Sequence, residues 1–214
     1  MENQDVIINI NNYCKTIKKS PILKNITLQF ERGKVYGLKG KNGSGKTMLM
    51  RAVCGLISPN SGTIEIGGKT LGKDMSFPPS IGVLLENPAF INNYTGMKNL
   101  EVLASIQRKI SKEDIRSALC MVGLNPEDKR TYRKYSLGMK QRLGIAAAVM
   151  EKPDIVILDE PINALDESGA KQVREILAEQ KERGAVCIIA CHDKEELEYL
   201  SDEIIEISDG AIVK

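Results

Sequence analysis

Between the strand-like run Lys34–Leu38 and the helix-forming run Lys46–Cys54 the chain reads Gly40-Lys41-Asn42-Gly43-Ser44-Gly45-Lys46-Thr47. Glycines at that density let successive backbone N–H groups turn toward one point, and the N-terminus of the following helix adds positive dipole there. The spacing predicts a polyphosphate loop, with Lys46 reaching the β and γ phosphates and the Thr47 hydroxyl ligating Mg²⁺. The plain alternative is a flexible glycine turn that happens to contain Lys-Thr. The strand before it and the helix after it weigh against that alternative.

Such a loop needs a parallel sheet to present it, and the rest of the chain supplies the texture of one. Ile155–Leu158 and Ala185–Cys191 are apolar enough to be buried on both faces, and the helix between them, Ser168–Arg183, closes a βαβ unit at Gly184. Ahead of the glycine loop, Val6–Ile10 and Ile26–Phe30 read as short strands flanking a turn-rich stretch, Lys15–Pro21; Thr63–Ile66 reads as another strand. Residues 87–150 differ. Apolar residues recur at helical spacing at Leu100, Leu103, Ala104 and Ile106, Ser111 with Asp114 forms a capping box, and a further helix starts at Ser136. Glu203–Ile207 and Ala211–Val213 form a terminal hairpin turned at Asp209-Gly210. The expectation is one α/β domain, with 1–86 and 151–214 forming a nucleotide-binding core with an antiparallel β portion and 87–150 inserted as a helical lobe.

The strand Asp154–Leu158 runs into Asp159-Glu160-Pro161, two acids at the edge where a Mg·nucleotide site needs them. Asp159 is expected to hold Mg²⁺ and Glu160 to act as general base on the water attacking the γ phosphate. Pro161 disfavours an α conformation at Glu160, which predicts an extended backbone there. Ordinary surface acids at a strand end are the alternative. His192 is the sole histidine of the sequence and follows the strand ending at Cys191; at that end of the sheet it can donate to the γ phosphate and orient Glu160. Cys187 and Cys191 share a strand face next to it, but without a second ligand pair they read as core thiols rather than metal ligands.

Composition narrows the function classes. Thirty Lys and Arg against 28 Asp and Glu give a net charge of +2, mixed along the 214 residues, which demands neither nucleic acid nor an acidic membrane surface. The longest apolar runs, Gly144–Met150 and Val186–Cys191, are far short of the roughly 18 residues that cross a bilayer. Met1–Asp5 lacks the layout of a secretory signal, and the five cysteines are scattered, so a cytosolic protein with reduced thiols is expected.

Tyr135-Ser136-Leu137-Gly138-Met139-Lys140-Gln141-Arg142 resembles the Leu-Ser-Gly-Gly-Gln signature of ATP-binding cassette (ABC) transporter ATPases, and the resemblance extends over essentially the whole chain. It implies a RecA-like phosphate-loop core with an antiparallel β subdomain and an inserted helical subdomain. It also implies ATP and Mg²⁺ as ligands, with residues 40–48, including Met48, around the phosphates. By the same resemblance Ser136 and Gly138 touch the γ phosphate held by a second subunit, Glu86 stands where a glutamine links Mg²⁺ and the attacking water to the helical lobe, and Asp166, in Asn163-Ala164-Leu165-Asp166, helps form the dimer interface. Ser136 and Asp166 also read simply as helix caps. The implied partners are a transmembrane permease subunit and a second nucleotide-binding subunit, a homodimer or a close paralogue, with no nucleic acid; the implied position is peripheral, on the inner face of the cell membrane.

Three departures stand out: Leu137 and Met139 replace a glycine and the glutamine of the signature, and Ile17 stands where an aromatic stacks on adenine, with Tyr13 as a weaker substitute. Ser80–Ile91, Glu86 and Leu137–Gly144 resemble exporters of the bacitracin and lantibiotic-immunity kind, in which Phe90, Ile91 and Tyr94 would anchor a helix of the membrane subunit or else pack the lobe. The rival readings are a soluble ABC ATPase of DNA repair or translation, a regulatory module without turnover, and a GTPase. Glu160 argues against the second, and the lack of an Asn-Lys-x-Asp motif against the third.

Overall fold

A computed structural model describes residues 6–213, so the expectation placed on Met1–Asp5 lies outside the described residues. β1 (Val6–Ile17) and β2 (Ser20–Glu31) form one long hairpin. The stretch Lys15–Pro21 is therefore strand almost throughout, not a broad polar break, and the turn is confined to Lys18 and Lys19, at φ 47° and 66°. Two left-handed residues match the twist of a two-residue hairpin. Register shifts along the hairpin absorb polar residues that break simple alternation, which is why the sequence pattern ended too early. With β4 (Ser61–Ile66) and β5 (Lys69–Thr70) the hairpin makes a four-stranded antiparallel sheet ordered β2-β1-β4-β5.

The second sheet contains β3 (Val35–Lys39), β6 (Ile81–Leu84), β7 (Ile155–Asp159), β8 (Val186–Ala190), β9 (Glu203–Ser208) and β10 (Ala211–Ile212), ordered β10-β9-β3-β8-β7-β6. All but β10 run parallel; β10 folds back on β9 through Asp209 and Gly210, at φ 48° and 79°, as the Asp-Gly turn predicts. The two faces of this sheet belong to different cores. Ile155, Ile157, Val186 and Ile188 point to a cluster built with β1, β2, β4 and α1 (Lys46–Val53). Val156, Leu158, Cys187 and Ile189 point the other way, to a cluster with α2 (Gly96–Gln107), α3 (Lys112–Met121), α4 (Leu137–Val149) and α5 (Glu167–Glu182). That two-sided burial explains the continuously apolar strands.

Side chains set the helix starts. Thr95 caps α2, Ser111 and Asp114 form the expected reciprocal box on α3, Ser136 caps α4 and Asp166 caps α5. A short helix that the sequence pattern did not reveal, α6 (Lys194–Leu200), is capped by Asp193 and buries Leu197 and Leu200. Two buried residues in so charged a segment leave no readable periodicity. The helical segment is joined to the sheet by α4, which lies directly on β6 and β7. The approach is so close that a Cβ built on Gly82 of β6 would sit 1.7 Å from the Ala148 carbonyl oxygen. Gly82→Ala must separate two backbones, so it is expected to lower stability by about 3 kcal/mol or more; a urea unfolding midpoint equal to wild type would contradict this contact.

Candidate active site

Parallel strands deliver their C-terminal ends to one edge, and the chemistry gathers there. β3 leads into the glycine loop and α1 begins at Lys46, with Gly45 before it at φ 114°, a conformation that a side chain would strain. Asn42, Gly43, Gly45, Lys46, Thr47 and Met48 line a cavity of about 430 Å³. Glu86 beyond β6, Asp159 and Glu160 at the end of β7, and His192 beyond β8 line the same cavity.

Several features prepare this cavity for a polyanion. The Lys46 ammonium is buried, donating to the Gly40 and Lys41 carbonyls at 2.7 and 3.2 Å. The Ser44 hydroxyl is buried with no partner among the described residues, and the first turn of α1 carries neither an acid nor a side-chain cap. A buried cation, an orphaned donor and free helix N–H groups together call for an acceptor-rich anion. The Thr47 hydroxyl donates to Asp159 Oδ2 at 2.8 Å, so the two oxygen donors expected to take a hard divalent cation are already side by side.

Glu160 is not extended, as the following proline suggested, but left-handed at φ 53°. Its N–H donates to Ala190 O of β8 at 2.8 Å, and its carboxylate accepts the His192 backbone N–H at 3.1 Å. These bonds over-determine a conformation that Pro161 alone would not choose. His192 Nε2 lies 3.4 Å from Glu160 Oε1, so the lone histidine does face the acid. Burial raises the Glu160 carboxyl above the ordinary glutamate range; the His192 backbone N–H and its ring oppose that rise, and the neighbouring Asp159 adds to it.

Glu86 has its carboxylate drawn onto α1, 2.6 Å from Arg51 Nη2, with its own backbone left-handed at φ 58°. Ser136, Gly138 and Asp166 do not line the cavity. Ser136 accepts from Met139 N–H, Asp166 from Gly169 N–H, and Gly138 packs so tightly on the loop after β7 that a Cβ would come within 2.9 Å of Ala164 O. Tyr13 is not an alternative base platform: it is buried, its hydroxyl donating to Ile57 O at 2.9 Å. Ile17 is exposed and does not line the cavity, whereas Ile22 of β2 does. Ile22, Asn87, Gln141 and Asn163 are the lining residues that sequence reasoning did not single out. Gln141 and Asn163 lie inside the two motif runs quoted from the sequence, without a role assigned there, and Asn87 follows Glu86; nothing in the sequence marks Ile22. Cys187 and Cys191 sit in one apolar cluster, where burial pushes their thiols up to about 12 and about 11.

Residues 23–163 match the family described as ABC transporter. The chain is 47% identical over 206 residues to the uncharacterized ABC transporter ATP-binding protein YybJ of Bacillus subtilis, covering 96% of this chain and 94% of that one. It is 37% identical over 212 residues to the bacitracin transport ATP-binding protein BcrA of Enterococcus faecalis, covering 98% and 69%. The fold superposes on the dimeric structure of MJ0796, a bacterial ABC transporter cassette, with a TM-score of 0.89 at 23% identity, covering 97% of each chain. The chain belongs to the ABC transporter family, as an ATP-binding ATPase subunit. The α/β cassette architecture expected from the sequence is the one observed.

The orphaned Ser44 hydroxyl gives a test of the anion cradle. Ser44→Ala removes an unsatisfied buried donor, so it is expected to stabilise the nucleotide-free protein by about 1 kcal/mol while weakening ATP binding by up to about tenfold. Thermal unfolding and nucleotide titration read the two effects, and a change of the same sign in both would count against the assignment.

Proposed function

We propose that the chain binds Mg·ATP in the cavity at the sheet edge and hydrolyses it with Glu160 as general base. Lys46 and the loop N–H groups hold the β and γ phosphates, and the Ser44 hydroxyl gains its missing acceptor there. Thr47 and Asp159 hold the Mg²⁺, which when bound offsets phosphate charge. Glu160 takes the proton of the attacking water, and His192 keeps the Glu160 carboxylate aimed while donating to the γ phosphate. For Glu86 to join the metal's surroundings it must first leave Arg51.

We further propose that two such subunits, identical or closely related, close head to tail over two nucleotides. The carrying observation is that Ser136 and Gly138 stand apart from this chain's own cavity, leaving the tip of α4 free to reach a partner's γ phosphate. The dimeric relative in fold supports this reading. Closure on ATP and release after hydrolysis then move a transmembrane permease between two states. The likeness to BcrA favours an exporter of a drug or antimicrobial peptide, with this subunit on the inner face of the cell membrane. Among the described residues no helix is long and apolar enough to cross a membrane. Of the three apolar side chains considered for docking, Phe90 packs edge-on to Tyr132 inside the lobe, while Ile91 and Tyr94 are exposed and remain for the permease.

Glu160→Gln is expected to lose ATP hydrolysis by about a hundredfold or more and to elute as a dimer in Mg·ATP; a variant saturated with nucleotide that stays monomeric, with and without its permease, would refute the head-to-tail arrangement. A base works deprotonated, and Glu160 starts from a raised pKa. The acidic limb of kcat is therefore expected to inflect above about pH 4.3, the value of a free glutamate, with activity lost as pH falls through that point. A limb at or below the free-glutamate value would assign the proton to another group.

A further inference from the structure

We propose that Gln141 of α4 is a positioning residue for Glu160, its side-chain amide holding the backbone of the general base from within the helical segment. The inference rests on the reading of Glu160 as base. Gln141 is a polar side chain only 7% exposed, yet it lines the nucleotide cavity. Its Nε2 donates to the carbonyl oxygen of Glu160 at 2.8 Å and to that of Pro161 at 3.3 Å. The Glu160 carbonyl also accepts from Asn163 N–H at 3.1 Å, within the same turn. Glu160 holds a left-handed backbone that costs free energy in a non-glycine residue, so bonds that hold it there matter. From β8 comes the Ala190 carbonyl and from just beyond it the His192 N–H; from the helical segment comes Gln141.

This bond joins two parts of the site that act on different nucleotides. Ser136 and Gly138 stand at the N-terminal tip of α4, and Gln141 lies on that helix little more than one turn further on. Any shift of α4 against β7 is therefore felt at the Glu160 peptide, and through it at the carboxylate. The helix tip offered to a partner's phosphate and the base serving the chain's own phosphate move as one unit.

The test compares wild type, Gln141→Met, Gln141→Lys and Glu160→Gln, each confirmed as folded by thermal unfolding. Methionine keeps length and bulk without a donor; lysine restores a donor. Gln141→Met is expected to bind a fluorescent ATP analogue within about twofold of wild type while kcat falls by about tenfold or more. Gln141→Lys should recover much of the lost rate, and adding Gln141→Met to Glu160→Gln should cost nothing further. If Gln141→Met does not fold, Gln141→Glu, which turns acceptors toward the two carbonyls, is expected to show the same selective loss of kcat. Unchanged kcat in the donor-free variants, a loss matched by equally weakened nucleotide binding, or no recovery in Gln141→Lys overturns the inference. Full activity in Glu160→Gln would instead sink the reading on which it rests.

Discussion

Strand register is the constraint on which the site depends. Leu38 of β3 pairs with Ala190 of β8, Ala190 pairs with Asp159 of β7, and Leu158 pairs with Leu84 of β6. Four strands from distant parts of the chain thus end level with one another. The residues just past that line are the start of the glycine loop, His192, Glu160 and the turn that carries Glu86. A one-residue slip in any pair would turn core side chains to the wrong face, so burial on both sides of the sheet locks the register, and the register places the chemistry.

Two clusters of apolar side chains grip the sheet from opposite faces, and this lets polar groups be buried at its edge. Lys46 and Asp159 are each 7% exposed, a cost met by carbonyl acceptors for the first and the Thr47 hydroxyl for the second. The Ser44 hydroxyl alone has no partner there among the described residues, and it is a donor that an anion's oxygen would satisfy. Stability has been given up where ligand binding restores it, a pattern expected of a site rather than of a scaffold.

The helical segment is less separate than its position in the sequence implies. Its helix α4 lies against β6 and β7, and Arg142 extends the attachment: its guanidinium reaches the Val122 carbonyl at 2.7 Å, Gln172 of α5, and Asp166 at 3.3 Å. One side chain thereby joins the end of α3, the body of α5 and the cap of α5. Next to it Gln141 points the other way, toward Glu160. Adjacent residues on one helix thus address the loop after β7 and the acid before it.

Legible in the linear order of residues were the strand-loop-helix of residues 34–54, the buried strands at 155–158 and 185–191, the caps at Ser111, Ser136 and Asp166, and the gathering of Lys46, Thr47, Asp159, Glu160 and His192 around one cavity. Those features depend on local spacing, turn chemistry and apolar runs, which a linear pattern carries. Tertiary structure alone decided the left-handed backbone of Glu160, the pairing of Glu86 with Arg51, the burial of Tyr13, the entry of Ile22 and the inward turn of Gln141. Each of these is settled by a partner tens of residues away, and no local preference encodes where that partner will be. The proline after Glu160 made the limit plain: its steric bias against the right-handed helix is local, whereas the left-handed choice is held by Ala190, His192 and Gln141 together with the Asn163 turn bond.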